Sequence, residues 1–217
     1  MKNSKRHTDQ SVFRAAGLTC ARGERVLFQH LGFELANGGL IHISGPNGSG
    51  KTSLLRILCG LLQPVAGTVD WNGTPIRLLG EEFHRNVAYL GHLNAVKDEL
   101  SASENLRFST RLAGMAAEPE DISEALNQLS LRSVTRVPCR FLSQGQKRRL
   151  ALARVCLCES RALWVLDEPF ASLDAEGIET VRLLMEQHLG AGGMVILTTH
   201  QVIPITAATT QRVELTT

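Results

Sequence analysis

Eight consecutive residues constrain this chain more than any others: Gly45-Pro46-Asn47-Gly48-Ser49-Gly50-Lys51-Thr52. They fit G-x-x-x-x-G-K-[ST] at every fixed position, and a chance match in a chain of this length is roughly a 1% event at average residue usage. The glycines let the backbone wrap so that several N–H groups face one anion. A helix starting behind them adds positive potential. Gly45 to Ser53 are therefore candidate phosphate-binding residues: Lys51 would reach the β- and γ-phosphates of a nucleotide, and the Thr52 hydroxyl would bind Mg²⁺. A Gly-rich structural turn is the plain alternative, but the context is that of a phosphate loop. Leu40 to Ser44 reads as a short strand before it, and Lys51 to Leu62 as a helix after it, with Leu54, Leu55, Ile57, Leu58, Leu61 and Leu62 on a broad apolar face.

The rest of the 217 residues is compatible with one large domain that buries its own core. The longest apolar runs are about five residues, far short of the roughly 20 needed to cross a bilayer. The balance of 23 basic and 21 acidic residues gives no electrostatic case for nucleic acid. Five cysteines, with no Cys-x-x-Cys pair, read as small buried thiols in a reducing compartment. The N-terminus is basic without an apolar stretch, so it is not a secretory signal; residues 1–11 read as a disordered polar lead-in to a cytosolic protein.

Residues 12–217 read as one α/β domain. Val26 to Leu35 alternates as a strand with one wet face. Thr68 to Trp71 leads into Asn72-Gly73, a two-residue hairpin signal. Between about 94 and 145 the pattern turns helical (Ser101 to Leu112, Asp121 to Leu131), which reads as an inserted helical subdomain. Helix (Ser143 to Cys158), strand (Ala162 to Asp167), helix (Asp174 to Leu189) and strand (Met194 to Thr198) follow, implying a parallel sheet covered on both faces. A last helix over Gln201 to Thr210 would be interrupted by Pro204.

Two further segments carry chemistry. Leu163 to Leu166 is an apolar strand ending in Asp167-Glu168, the strand end at which α/β sheets place ligands. Asp167 would hold Mg²⁺, and Glu168 would orient a water and take its proton; a simple helix N-cap is the alternative. Leu142-Ser143-Gln144-Gly145-Gln146 contains an S-x-x-Q capping box. Its helix end would offer free N–H groups, with Gly145 allowing close approach to an anion. Two phosphate-binding termini in one chain are reconciled if each phosphate lies between one loop of one subunit and the other loop of a second. In isolation, the same segment could be an ordinary cap followed by a solvated basic run, Lys147-Arg148-Arg149.

At this point the chain resembles the ABC ATPases. LSQGQ is similar to the signature LSGGQ, Asp167-Glu168 to the Walker B pair and catalytic Glu, Ser172-Leu173-Asp174 to the D-loop, and Thr199-His200 to the switch His. The order is the family's, and the resemblance covers about residues 12 to 200. It implies a P-loop NTPase fold of the ABC type, with an antiparallel β subdomain and an inserted helical subdomain. It also implies a homodimer closing around two MgATP, with His200 at the γ-phosphate and Glu168, Asp174 bridging subunits, and Ser143, Gly145 and Gln146 reaching the partner's nucleotide. Two positions depart from the pattern. Arg22 stands where the family often stacks an aromatic on adenine; a guanidinium can stack on a purine, or Arg22 is a solvated turn residue. No Gln stands in the Q-loop; His92 occupies its slot, able to touch a Mg²⁺ water or relay motion.

Within the family, Gly91-His92 with Val96 to Leu106, Asp167 to Phe170, and Gly192 to Gln201 look like the ATP-binding subunits of bacterial cytochrome c maturation systems. Leu93 stands where those subunits commonly have Gln. That resemblance implies an integral membrane partner, cytochrome c maturation proteins as further partners, and a peripheral place on the cytoplasmic face of the inner membrane. The work implied is haem handling or export, or release of a holo haem chaperone. Composition itself says nothing of haem. A soluble ABC ATPase, for example in iron–sulfur assembly, is the alternative; a regulatory nucleotide-binding module without turnover is a third, opposed by Glu168 and His200.

Overall fold

The computed structural model describes residues 11–115, 117–158 and 160–216. The expected polar lead-in lies outside them except for Ser11, whose N–H donates to Asn37 Oδ1 at 3.0 Å. The elements run β1 (Val12–Arg22), β2 (Arg25–Ala36), β3 (Gly39–Ser44), α1 (Lys51–Leu58), β4 (Ala66–Trp71), β5 (Thr74–Pro75), the single turns α2 (Ile76–Leu79) and α3 (Glu81–His84), and β6 (Val87–Leu90). Then come α4 (Ala102–Leu112), α5 (Pro119–Gln128), two 3₁₀ turns, α6 (Gln144–Cys156), β7 (Leu163–Asp167), α7 (Ala175–Gly190), β8 (Met194–Thr198) and β9 (Thr209–Glu214).

Two sheets form. One is parallel throughout, in the order β6-β7-β8-β3-β9; the other is antiparallel, β2-β1-β4-β5. The parallel sheet divides two apolar cores, and the period-two alternation of its strands decides which side chain enters which. Along β7, Leu163 and Val165 face α1 and the antiparallel sheet, while Trp164 and Leu166 face α4 to α7; along β8, Met194 and Ile196 oppose Val195 and Leu197 in the same way. Burial on both faces explains why these strands read as unbroken apolar runs.

Local signals set most boundaries. Ser101 and Glu104 close a capping box on α4, and Pro119 stands in the first turn of α5. This helix spans 119–128, displaced toward the N-terminus from the 121–131 expected of it. Asn72 and Gly73, both at positive φ, join β4 to β5 with Trp71 opposite Thr74. Helix α1 stops at Leu58 rather than Leu62, because Gly60 turns the chain at φ 70°. Leu61 and Leu62 consequently lie at the surface and add nothing to the apolar face assigned to them. In β2 the alternation breaks: Leu27 and Phe28 are both buried, and the register with β1 shifts near them.

The C-terminal expectation is corrected. Residues 201–208 form no helix, and the chain then enters β9, parallel to β3. Pro204 lacks the N–H a helix interior needs, Thr209 and Thr210 are β-branched, and β9 covers what would be an open edge of β3. Glu186 of α7 anchors this return, accepting from the Thr206 N–H at 2.7 Å and pairing with Arg182 at 2.6 Å.

Leu166 is fully buried, so Leu166→Ala should cost about 2–5 kcal/mol, read as a lower urea midpoint. Thr206's N–H, with Arg182, holds the Glu186 carboxyl below its usual 4.5, as Ser101 does for Glu104. A lowered native pKa stabilises above the unfolded value and loses that contribution as pH falls through the native one. The thermal midpoint should therefore hold from pH 7 to about 5 and fall below about 4, less steeply in Glu186→Gln.

Candidate active site

All five strands of the parallel sheet point the same way, so the segments leaving β3, β6, β7 and β8 emerge at one edge. The phosphate loop, Gly91-His92, Asp167-Glu168 and Thr199-His200 are brought to it by topology alone. The loop after β3 has Gly45, Gly48 and Gly50 at φ 147°, 80° and 101°. A Cβ on Gly45 would sit 2.7 Å from the Leu215 carbonyl oxygen. Gly50 is the N-cap of α1, without a side-chain cap and without an acidic residue in the first turn. That helix end therefore keeps its amides and positive potential for an outside anion. The Ser49 hydroxyl is buried and has no hydrogen-bond partner among the described residues, and the Lys51 ammonium donates to the Gly45 and Pro46 carbonyls at 2.7 and 3.1 Å. Pro46, Asn47 and Gly48 are exposed, and Ser53 lies in the first turn of α1. These features fit the phosphates of a nucleotide.

Asp167 is the centre of the cluster. Its carboxylate, 2% exposed, accepts from Thr52 Oγ1 at 2.8 Å and from Thr198 Oγ1 at 2.7 Å. Thr52 and Asp167, assigned to one metal from sequence, are thus in direct contact, and their hard oxygens fit Mg²⁺. Thr198 was not legible as a site residue: its hydroxyl also accepts from the Glu168 N–H at 2.9 Å, so one buried side chain orients both acids. Glu168 has φ 49°, a left-handed conformation costing an L-residue about 1–2 kcal/mol. Its Oε1 is buried, has no hydrogen-bond partner among the described residues, and lies 3.5 Å from His200 Nε2. His42 Nε2 bonds the Thr199 carbonyl at 3.1 Å, anchoring the segment that presents His200.

The α6 terminus is built as its sequence implies: Ser143 Oγ accepts from the Gln146 N–H, and Gln146 Oε1 from the Ser143 N–H. Gly145 also has a reason for its identity inside its own chain, since a Cβ there would lie 2.7 Å from the Ser172 carbonyl oxygen. Asp174 caps α7, accepting from the Gly177 N–H at 2.9 Å, and pairs with Arg149. The Gly177 N–H and then Arg149 hold its carboxyl below the usual range.

The run Lys147-Arg148-Arg149 is not a solvated face. Lys147 pairs with Asp98 at 2.6 Å, Arg149 with Asp174, and Arg148 is buried. Arg22 and His92 are not drawn into the cluster. Arg22 is exposed at the end of β1 opposite Arg25, and His92 is exposed on the loop after β6.

Residues 28–171 match the ABC transporter family. The chain is 49% identical over 199 residues to the cytochrome c biogenesis ATP-binding export protein CcmA of Nitrosospira multiformis, covering 92% of this chain and 96% of that protein. It is 50% identical over 190 residues to CcmA of Aromatoleum aromaticum, covering 88% and 89%. Among solved structures, an ABC transporter ATP-binding protein from Pyrococcus furiosus shares the fold at TM-score 0.80 and 23% identity, covering 93% of this chain and 96% of that one.

Thr198→Val keeps the shape and removes the hydroxyl that serves Asp167 and Glu168. It should cost about 1–3 kcal/mol of stability, measured by chemical denaturation; an unchanged midpoint would show the hydroxyl to be dispensable.

Proposed function

Since this chain belongs to the ABC transporter family, and within it to the cytochrome c biogenesis ATP-binding export proteins, we propose that it drives a membrane complex of c-type cytochrome biogenesis through the site described above. It binds ATP and hydrolyses it. Among the described residues no helix is long and apolar enough to cross a membrane, so the proposal assigns the membrane-spanning part to a separate integral subunit. The chain would sit peripherally on the cytoplasmic face of the inner membrane, alongside cytochrome c maturation proteins. The work coupled to ATP would be haem handling or release of a holo haem chaperone. The biogenesis role of the relatives favours this over iron–sulfur assembly.

One observation supports the assignment of roles most directly: a buried, doubly hydrogen-bonded Asp167 beside a Glu168 whose Oε1 has no hydrogen bond among the described residues and lies 3.5 Å from His200 Nε2. In the proposed reaction, Gly45 to Ser53 cradle the phosphates and Lys51 contacts the β- and γ-phosphates. Thr52 and Asp167 would hold Mg²⁺, whose charge offsets that of the phosphates. Glu168 orients water for in-line attack on the γ-phosphorus and takes its proton as the bond to the bridging oxygen breaks; His200 positions the γ-phosphate and Glu168. Ser143, Gly145 and Gln146 of a second copy would close over the nucleotide, with Asp174 bridging the two copies. Arg22 is assigned to the adenine face and His92 to the Q-loop position.

Glu168→Gln should slow turnover at least ~100-fold while preserving ATP binding, because a positioned base contributes roughly 10² to 10⁴. Turnover within a few-fold of the parent would sink the assignment. Lys51→Ala should lose ATP affinity in equilibrium binding. For the coupling, the tagged chain is isolated from detergent-solubilised membranes: a stoichiometric polytopic protein with cytochrome c maturation factors is expected. Recovery with cytosolic partners alone would overturn it.

A further inference from the structure

Arg148 stands on α6, one turn beyond the Ser143 cap, and is only 3% exposed. Its guanidinium spends four donor contacts on two separate segments. Nη1 donates to the Gly91 carbonyl at 3.2 Å and to Asn94 Oδ1 at 3.1 Å, both on the loop between β6 and α4. Nη2 donates to the carbonyls of Asp167 and Glu168. The positive φ of Glu168 brings these two successive carbonyls onto one nitrogen. A planar guanidinium is a rigid fork, so a shift of one acceptor pair is felt by the other. The loop side of the fork is itself tethered: Lys147 on the same helix pairs with Asp98, and Asn105 bonds the N–H and carbonyl of Lys97. His92 and Leu93 lie between Gly91 and Asn94, and Leu93 is 80% exposed.

We propose that Arg148 is a positioning residue, a strut that fixes the backbone of Glu168 to the Gly91–Asn94 loop, so that displacement of that exposed loop changes the placement of the Glu168 carboxylate. This rests on the role given to Glu168 above. It gives α6 a second task besides presenting the Ser143–Gln146 terminus, and it supplies a mechanical link at the place where the Q-loop lacks its Gln.

The test uses the full chain and two variants. Asn94→Ala removes one loop-side acceptor and leaves the buried guanidinium in place; Arg148→Lys keeps the charge but cannot span both acceptor pairs. In amide hydrogen exchange, Asn94→Ala should speed exchange about tenfold within residues 91–97 and also within 168–171, across the guanidinium, with 51–58 unchanged. A change confined to 91–97 would overturn the proposal, with or without ATPase activity. In turnover, Arg148→Lys should lower kcat about tenfold or more with the KM for ATP within about twofold, as misplacement of a reacting group does. The double variant should fall no further than Arg148→Lys, because both changes act through one strut; additive effects would mean independent structural damage. Glu168→Gln in parallel separates the two ideas: it tests the reaction, whereas exchange across the strut tests the linkage.

Discussion

The site depends on the burial of one carboxylate. Asp167 is the last residue of an apolar strand, almost out of reach of water, and a charge there is tolerable only when its oxygens are hydrogen-bonded. Thr52 arrives from α1 and Thr198 from β8 to supply those bonds. Each belongs to an element that must be in place for its own apolar reasons, so the carboxylate is satisfied only when sheet and helix are assembled together. The same constraint fixes the phosphate loop relative to the acids, because Thr52 is at once the second residue of α1 and a donor to Asp167.

Around that centre the charges on α6 organise the neighbouring segments. Three consecutive basic residues go to three different places: Lys147 to Asp98 before α4, Arg149 to Asp174 at the start of α7, and Arg148 inward to the carbonyls of Asp167 and Glu168. Burial pulls the Arg148 pKa down, while the charges of Asp167 and Glu168 push it up. With four donor contacts in place, the guanidinium is held as an ion in the protein interior. Among the described residues its Nε finds no hydrogen-bond partner.

Much of this was legible in the chain. The phosphate loop, the capping box at Ser143, the turn at Asn72-Gly73 and the apolar strands at 163–167 and 194–198 are local patterns with local causes, and the structure contains each of them. Less legible were features that depend on a distant partner. β9 is a strand because β3 offers an edge, a partner that the expectation of a helix over Gln201 to Thr210, interrupted by Pro204, does not contain. Strands β1 and β6 draw their pairing from β2, β4 and β7. The bulge that buries both Leu27 and Phe28 is a property of the β1–β2 register, not of β2 alone. Thr198 looks like one more β-branched strand residue until Asp167 is beside it.

By itself the sequence determined the chemistry: which residues can wrap a phosphate, which strand ends in acids, and which helix begins with a reciprocal cap, because these signals lie within a few consecutive residues. Only the tertiary structure decided which of those pieces act on one another. Parallel strand order brought four loops to one edge, Gly145 proved to be small because Ser172 lies against it, and Arg148 became a buried strut instead of a solvated arginine. Burial and hydrogen-bond partnership are set by residues some 20 to 115 positions apart, and no window along the chain contains both members of such a pair.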